Sequence, residues 1–252
     1  MAIRVEQDGP AAIITMDWPE RRNALGPAEA VELSAAIRTA ASSATISGLV
    51  LTGNGAFCAG GDLKGAASRA DMPEAERRAL VYGAFQGLVR ALFDCPVPTI
   101  AAVDGPAIGL GFDIALACDS RFIGPDGWLM QGWGRAGLIP GTGGEWLLRN
   151  RSPNLLWRLL ESQPRIDGAM AERLRLGETT ESGQTARERA LSRARSTGEM
   201  ARETLEAYVT LSRRDMLAAL DENLAIALTL QVKLLASSAV NERMASILRK
   251  AT

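Results

Sequence analysis

The chain contains no histidine. That absence excludes Ser-His-Asp triads, His-ligated zinc and any imidazole base, so proton transfer falls to Asp, Glu, Lys, Tyr or water. Cysteine is scarce: Cys58, Cys95 and Cys118, with no C-x-x-C pair. Three thiols so far apart argue against a metal site, and no metal is expected. An odd number in apolar surroundings points to reduced packing residues in a cytoplasmic protein rather than nucleophiles. No sign of charge dominates: 28 Lys and Arg face 29 Asp and Glu, a net charge of −1. That balance gives no electrostatic footprint for nucleic acid or an anionic membrane. Long apolar runs are missing, and Met1–Glu6 lacks a basic segment followed by an apolar one. Neither a membrane span nor a signal peptide is expected.

What is there is a large apolar fraction, 47% of 252 residues, enough for one sizeable core with or without an appendage. Short apolar runs read as strands at Ile3–Glu6, Ala11–Asp17, Gly48–Thr52, Pro98–Val103 and Arg121–Ile123. Helical spacing falls between them, over Pro27–Ala41, Glu74–Leu92 and Gly109–Cys118. In the second of these, Leu80, Phe85, Leu88 and Leu92 are expected to face inward. Strand and helix in alternation argue for an α/β fold with right-handed crossovers. From Gly143 onward the pattern is helical almost throughout, including Ser182–Thr197 before Gly198 and the amphipathic Leu205–Leu234. The expected division is a core over 1–180 and a helical region over 181–252.

Two segments carry the chemistry. Phe57-Cys58-Ala59-Gly60-Gly61-Asp62-Leu63 and Gly105-Pro106-Ala107-Ile108-Gly109-Leu110-Gly111-Phe112-Asp113 each join a strand signal to a glycine-rich turn that can open a helix. Two such turns can aim two main-chain N–H groups at one point, the device that holds an oxyanion as a carbonyl gains negative charge. A helix N-terminus behind one of them strengthens the field. The expected chemistry is on a carbonyl or thioester, without a metal or a nucleophilic triad. Gly141-Thr142-Gly143-Gly144 lacks the Lys-Ser/Thr of a phosphate loop, and Rossmann spacing is not met.

Taken with Pro19-Glu20-Arg21-Arg22-Asn23-Ala24-Leu25, Leu49–Gly53, Pro98–Gly105, Gly109–Asp119 and Gly137–Gly144, these segments resemble the crotonase (enoyl-CoA hydratase/isomerase) superfamily over about Ile3 to Ile166. The resemblance implies a spiral of β-β-α turns with a C-terminal helical region used in trimer formation, and trimers that pair into hexamers. It implies an acyl-CoA thioester as ligand, with coenzyme A part of the substrate and no separate cofactor. The oxyanion donors map to the amides of Gly61 and Leu110. Arg21, Arg22 and Ala24 match the loop lining the pantetheine and adenine; Ala59 and Gly60 match backbone near the adenine. For each arginine, phosphate contact and plain solvated charge are both open.

Family hydratases set two glutamates on one water. Here the first maps to Asp113, one methylene shorter, and the second to Trp133, whose indole can donate a hydrogen bond and fill space but cannot transfer a proton. Some relatives carry an aspartate at the position of Gly141, so that carboxylate is absent too. Asp62 reads as a helix N-cap and Asp119 as a structural hydrogen-bonding group. Glu145 opens a helix and is the reserve acid. Trp133 is expected to wall the acyl pocket, while Trp128 and Trp146 read as packing. Near Leu174-Arg175-Leu176-Gly177 the family carries a Gly-Leu-Val-like turn; here the glycine comes late and arginines intrude. Enoyl-CoA hydration is the leading expectation. The alternatives are a catalytically degenerate acyl-CoA-binding protein, or a divergent relative acting as a thioesterase, decarboxylase or C–C lyase.

Overall fold

The computed structural model describes residues 3–68, 72–151 and 153–251. The strands are β1 (Ile3–Asp8), β2 (Ala11–Met16), β3 (Gly48–Gly53), β4 (Thr99–Val103), β5 (Pro106–Ile108), β6 (Ser120–Ile123), β7 (Trp128–Met130) and β8 (Glu178–Thr179). The helices are α1 (Pro27–Ala41), α2 (Leu63–Ser68), α3 (Glu74–Arg77), α4 (Gly83–Phe93), α5 (Leu110–Ala117), α6 (Gly144–Arg151), α7 (Leu155–Ser162), α8 (Gly168–Arg173), α9 (Ala186–Thr197), α10 (Arg202–Leu235) and α11 (Ser238–Ala251).

Six strands form the main sheet in the order β1-β2-β3-β4-β6-β8. Only the β1–β2 hairpin is antiparallel; every later pairing is parallel. Parallel strands need crossovers, and α1, α4 and α5 supply them. A second, two-stranded parallel sheet, β5 with β7, is too short to read from sequence, and Cys58 bridges onto its β5 strand. β2 and β4 are buried along their whole length because both faces of the sheet are covered. Leu49, Leu51, Ala101 and Val103 join the large core with α1, α4 and α5. Val50, Ile100, Ala102 and Phe122 face the other way, onto Ala186, Ala190 and Ala194 of α9. That helix is a polar string with alanines on one face, and the small side chains let it lie close on the sheet. Its N-terminus is held by a Thr185–Glu188 capping box and by Asp104, whose carboxylate accepts from the amides of Ala186 (2.6 Å) and Arg187 (3.0 Å).

The expected helix over Glu74–Leu92 is broken by one π-turn at Arg78–Tyr82. The wider turn offsets the helical phase, so Tyr82 is buried and Leu80 is 46% exposed instead of facing inward. Leu88 and Leu92, beyond the turn, are buried, and Phe85 packs against the same core.

The C-terminal helices dock through Arg213, 4% exposed on α10. Its guanidinium donates to the carbonyls of Phe93 (2.9 Å), the last residue of α4, and Cys95 (2.5 Å), just beyond it, and to both oxygens of Asp119 (2.8 and 2.5 Å). Gln86 adds a second tie, its Nε2 donating to Gly141 O (2.8 Å) and Leu224 O (3.0 Å). No single helix among the described residues is long and apolar enough to cross a membrane.

Candidate active site

The two glycine turns lie against each other. Cys58 N donates to Pro106 O (3.0 Å) and Ile108 N to Cys58 O (2.9 Å), a parallel bridge that registers the first turn on β5. Residues 22–25 hold the other side. Ala59 N donates to Arg22 O, Leu25 N to Gly60 O and Asp62 N to Leu25 O, at 2.8–2.9 Å. Gly60 N is taken by Cys58 Sγ at 3.4 Å. The amides of Gly61 and Leu110 are left: neither donates to any acceptor among the described residues. A Cβ on Gly60 would lie 3.9 Å from Leu110 N, and one on Gly61 would meet open space. Gly109 holds the corner at φ +55°, a conformation that favours glycine, and Leu110 opens α5 behind it. Gly111 is a close-approach residue, since a Cβ there would run into Cys58 O.

Asp113 stands one turn along α5 and is 2% exposed. Its Oδ2 accepts from Thr142 Oγ1 (2.5 Å) and from Trp133 Nε1 (2.9 Å). The carboxyl group also presses on Gly144, the first residue of α6, where a Cβ would collide with it. Burial pushes its pKa up to about 7, against the opposing pull of the Thr142 and Trp133 donors. A carboxyl group in that range exchanges protons near neutrality.

Trp133 is half-buried, with its indole edge 3.8 Å from the place of a Cβ on Gly109, so it roofs the turn and holds Asp113 at once. Arg22, at φ +52°, is exposed and its guanidinium makes no ion pair among the described residues. Arg21 is different: it pairs with Glu29 at 2.7 Å and its guanidinium lies 5.1 Å from the Trp18 ring centre. Ala24 and Ala59 are partly exposed along the same loop, and Gly60 is buried. Glu145, the expected reserve acid, lies at the head of α6. It pairs with Arg149 at 3.1 Å, one helical turn on, because the start of α6 puts its side chain on the half-exposed face. Asp62 accepts from Lys64 N (3.1 Å) as an N-cap, and Asp119 accepts from Thr99 N (2.7 Å) and Thr99 Oγ1 (2.9 Å) besides Arg213. All three thiols are buried, and burial pushes them up to about 11 or 12, which suits packing. Trp146 packs on Phe93, and Trp128 lies under Arg165.

Sequence reasoning missed four groups. Thr142 had one signal, a hydroxyl between glycines just before a helix. Asn23 locks the Arg22–Ala24 loop from inside: its Oδ1 accepts from Trp18 N (2.7 Å) and its Nδ2 donates to Ala56 O (2.6 Å). Gln231, from α10, puts its Oε1 where a side chain on residue 141 would go, and the Tyr82 ring edge is 3.2 Å from the same point. Tyr82 Oη and Gln231 Oε1 are buried and have no hydrogen-bond partner among the described residues. No local pattern announces either.

The parallel spiral, the paired glycine turns and the trailing helices define a crotonase-type chain. The profile of the enoyl-CoA hydratase/isomerase family matches residues 6–250. The chain is 40% identical over 148 residues to a probable enoyl-CoA hydratase of Rhodobacter capsulatus, covering 58% of this chain and 55% of that one. It is 38% identical over 143 residues to the probable enoyl-CoA hydratase EchA14 of Mycobacterium tuberculosis, covering 56% and 54%. These alignments span about half the length of the curated relatives. Among solved structures, an enoyl-CoA hydratase from Polaromonas sp. JS666 superposes with a TM-score of 0.79 at 31% identity, covering 99% of this chain and 98% of that one. One from Bacillus halodurans superposes at 0.90 with 24% identity, covering 98% and 100%. The chain belongs to the enoyl-CoA hydratase/isomerase family.

Proposed function

We propose that the protein binds an acyl-CoA thioester and carries its acyl group through an enolate, with hydration of an enoyl-CoA as the reaction. The observation that carries this reading is the pair of unengaged amides, Gly61 and Leu110, on touching turns with Asp113 one helical turn away. Amides fixed in place stabilise developing charge without reorganising, and losing one such donor typically costs roughly 10²–10³-fold in rate. Asp113 is the acid–base group. Its Oδ2 is held by Trp133 and Thr142, and Oδ1, which lies against Gly144 and accepts no hydrogen bond among the described residues, is the oxygen assigned to order and deprotonate a water admitted with the substrate. Arg22, Ala24, Ala59 and Gly60 form the coenzyme A side, and Arg22 supplies the free cation for a phosphate.

A second reading, an acyl-CoA-binding protein without turnover, rests on Trp133 standing against Asp113 while Glu145 is tied to Arg149. Crotonyl-CoA hydration, assayed beside calorimetric titration with the same ester, separates the two. Turnover that depends on Asp113 is the expected result; tight binding without turnover across acyl chain lengths selects the binding protein. Absence of both sinks the thioester reading itself. A Trp133→Glu variant restores the missing carboxylate and is expected to raise hydration. Assembly into a homotrimer or hexamer is part of the same reading. Tyr208, Leu211, Ile226 and Leu230 leave large apolar groups exposed along α10, and light scattering reports the mass.

A further inference from the structure

A cleft of about 330 Å³ opens between the end of α6, the start of α7 and the end of α8. Its wall is Arg151, Asn154, Leu155, Arg158, Arg173, Leu174 and Arg175, with no acidic residue in it. None of the four arginines forms an ion pair among the described residues, though many arginines elsewhere in the chain do. The Nε of Arg151 is buried and has no acceptor among the described residues.

Behind Arg151 stands Arg121, 5% exposed. Its Nη1 donates to the carbonyls of Leu116 and Cys118 (both 3.0 Å), and its Nε is a second buried donor without a partner among the described residues. Burial and the Arg151 charge both disfavour its protonated form. Arg175 adds a third signal. It holds φ +57°, a backbone conformation bulky residues rarely adopt, in the stretch where family members have a glycine turn. An arginine there gives up backbone ease to put another cation on the rim. Like charges gathered without counter-charge are unfavourable unless an anion or solvent screens them. Guanidinium forks match phosphate oxygens bidentately, and four of them suit a multiply charged group better than a single carboxylate.

We propose that this cleft is a binding site for a diphosphate group, free or carried on a nucleotide, separate from the loop at Arg22. It stands independently of the acyl-CoA reading. The test is calorimetric titration of the full chain with inorganic pyrophosphate and, in a second arm, with ADP, at physiological ionic strength. Single-site binding that weakens at least ~10-fold in Arg158→Ala/Arg173→Ala supports the site. Both side chains are exposed, so the variant keeps its fold, which its unliganded melting temperature checks. Pyrophosphate affinity is expected to stay the same in Arg22→Ala. ADP binding lost in the same double variant shows that the diphosphate is read on a nucleotide; pyrophosphate binding alone assigns the free anion. The proposal is overturned by no saturable binding of either probe, by unchanged affinity in the double variant, or by loss in Arg22→Ala alone.

Discussion

Asp113 lies in the first turn of α5 and Asp119 lies just beyond its last. The two carboxylates are six residues apart, yet their surroundings differ in kind. Asp119 meets a guanidinium, Arg213, and the amide and hydroxyl of Thr99. Asp113 meets only neutral donors, the Trp133 indole and the Thr142 hydroxyl, in a nearly dry setting. A carboxylate that meets a buried guanidinium is an anchor for the helix that carries it. One held by neutral donors hovers between protonation states, and only that one is suited to moving protons.

The largest test of this contrast is Asp113→Asn. Turnover of the preferred thioester should fall roughly 10²–10⁴-fold, while calorimetric acyl-CoA affinity stays within a few-fold. A fully active variant would mean that the acid–base group is elsewhere. Asp119→Ala should do the reverse. It leaves the Arg213 guanidinium with only backbone carbonyls for partners, so denaturant unfolding should show a loss of roughly 1–3 kcal/mol. Adding Arg213→Met in the same chain should recover much of that loss, and failure to do so would remove the pair from its anchoring role.

A smaller effect concerns pH. The folded-state pKa of Asp113, about 7, lies above its ordinary 3.8. Between those values the native state holds more protons than the unfolded chain, so this group lowers stability as pH rises toward 7, and the loss persists above it. Asp113→Asn never takes the charge. It should therefore be more stable than the parent at alkaline pH by about 2–4 kcal/mol, with the gap closing in acid. Equal melting curves at both ends of the pH range would show that the carboxyl group is not desolvated. The smallest change is Trp133→Phe. Losing the Nε1 donor removes support for the charged form, so the rising limb of kcat/KM against pH, expected near 7, should move up by about one pH unit.

Much of the fold could be read from local pattern. α1 runs over Pro27–Ala41, the range expected from the spacing of Ala30, Leu33, Ala36 and Ile37; Ala36 is half-buried and the other three are buried. α5 starts where Gly109 permits a corner that other residues resist. The π-turn before α4 was not legible, because one extra residue in a turn leaves composition unchanged and merely shifts which side chains face inward. Glu145 shows the same limit at the site. It opens α6 as expected, but which way its side chain points depends on the face the helix turns to the core, and it pairs with Arg149 on the half-exposed face.

By itself the sequence determined what is local: no histidine, two glycine turns that free a pair of amides, an aspartate one turn beyond the second, and helices and strands set by spacing. The tertiary structure alone decided what that aspartate is. Trp133 and Thr142 reach it across 20 and 29 residues, Gln231 fills the space beside Gly141 from α10, and Arg213 fixes Asp119 across 94. A carboxyl group's affinity for its proton depends on the solvent it loses and the donors it gains. Both are settled only when distant segments close around it.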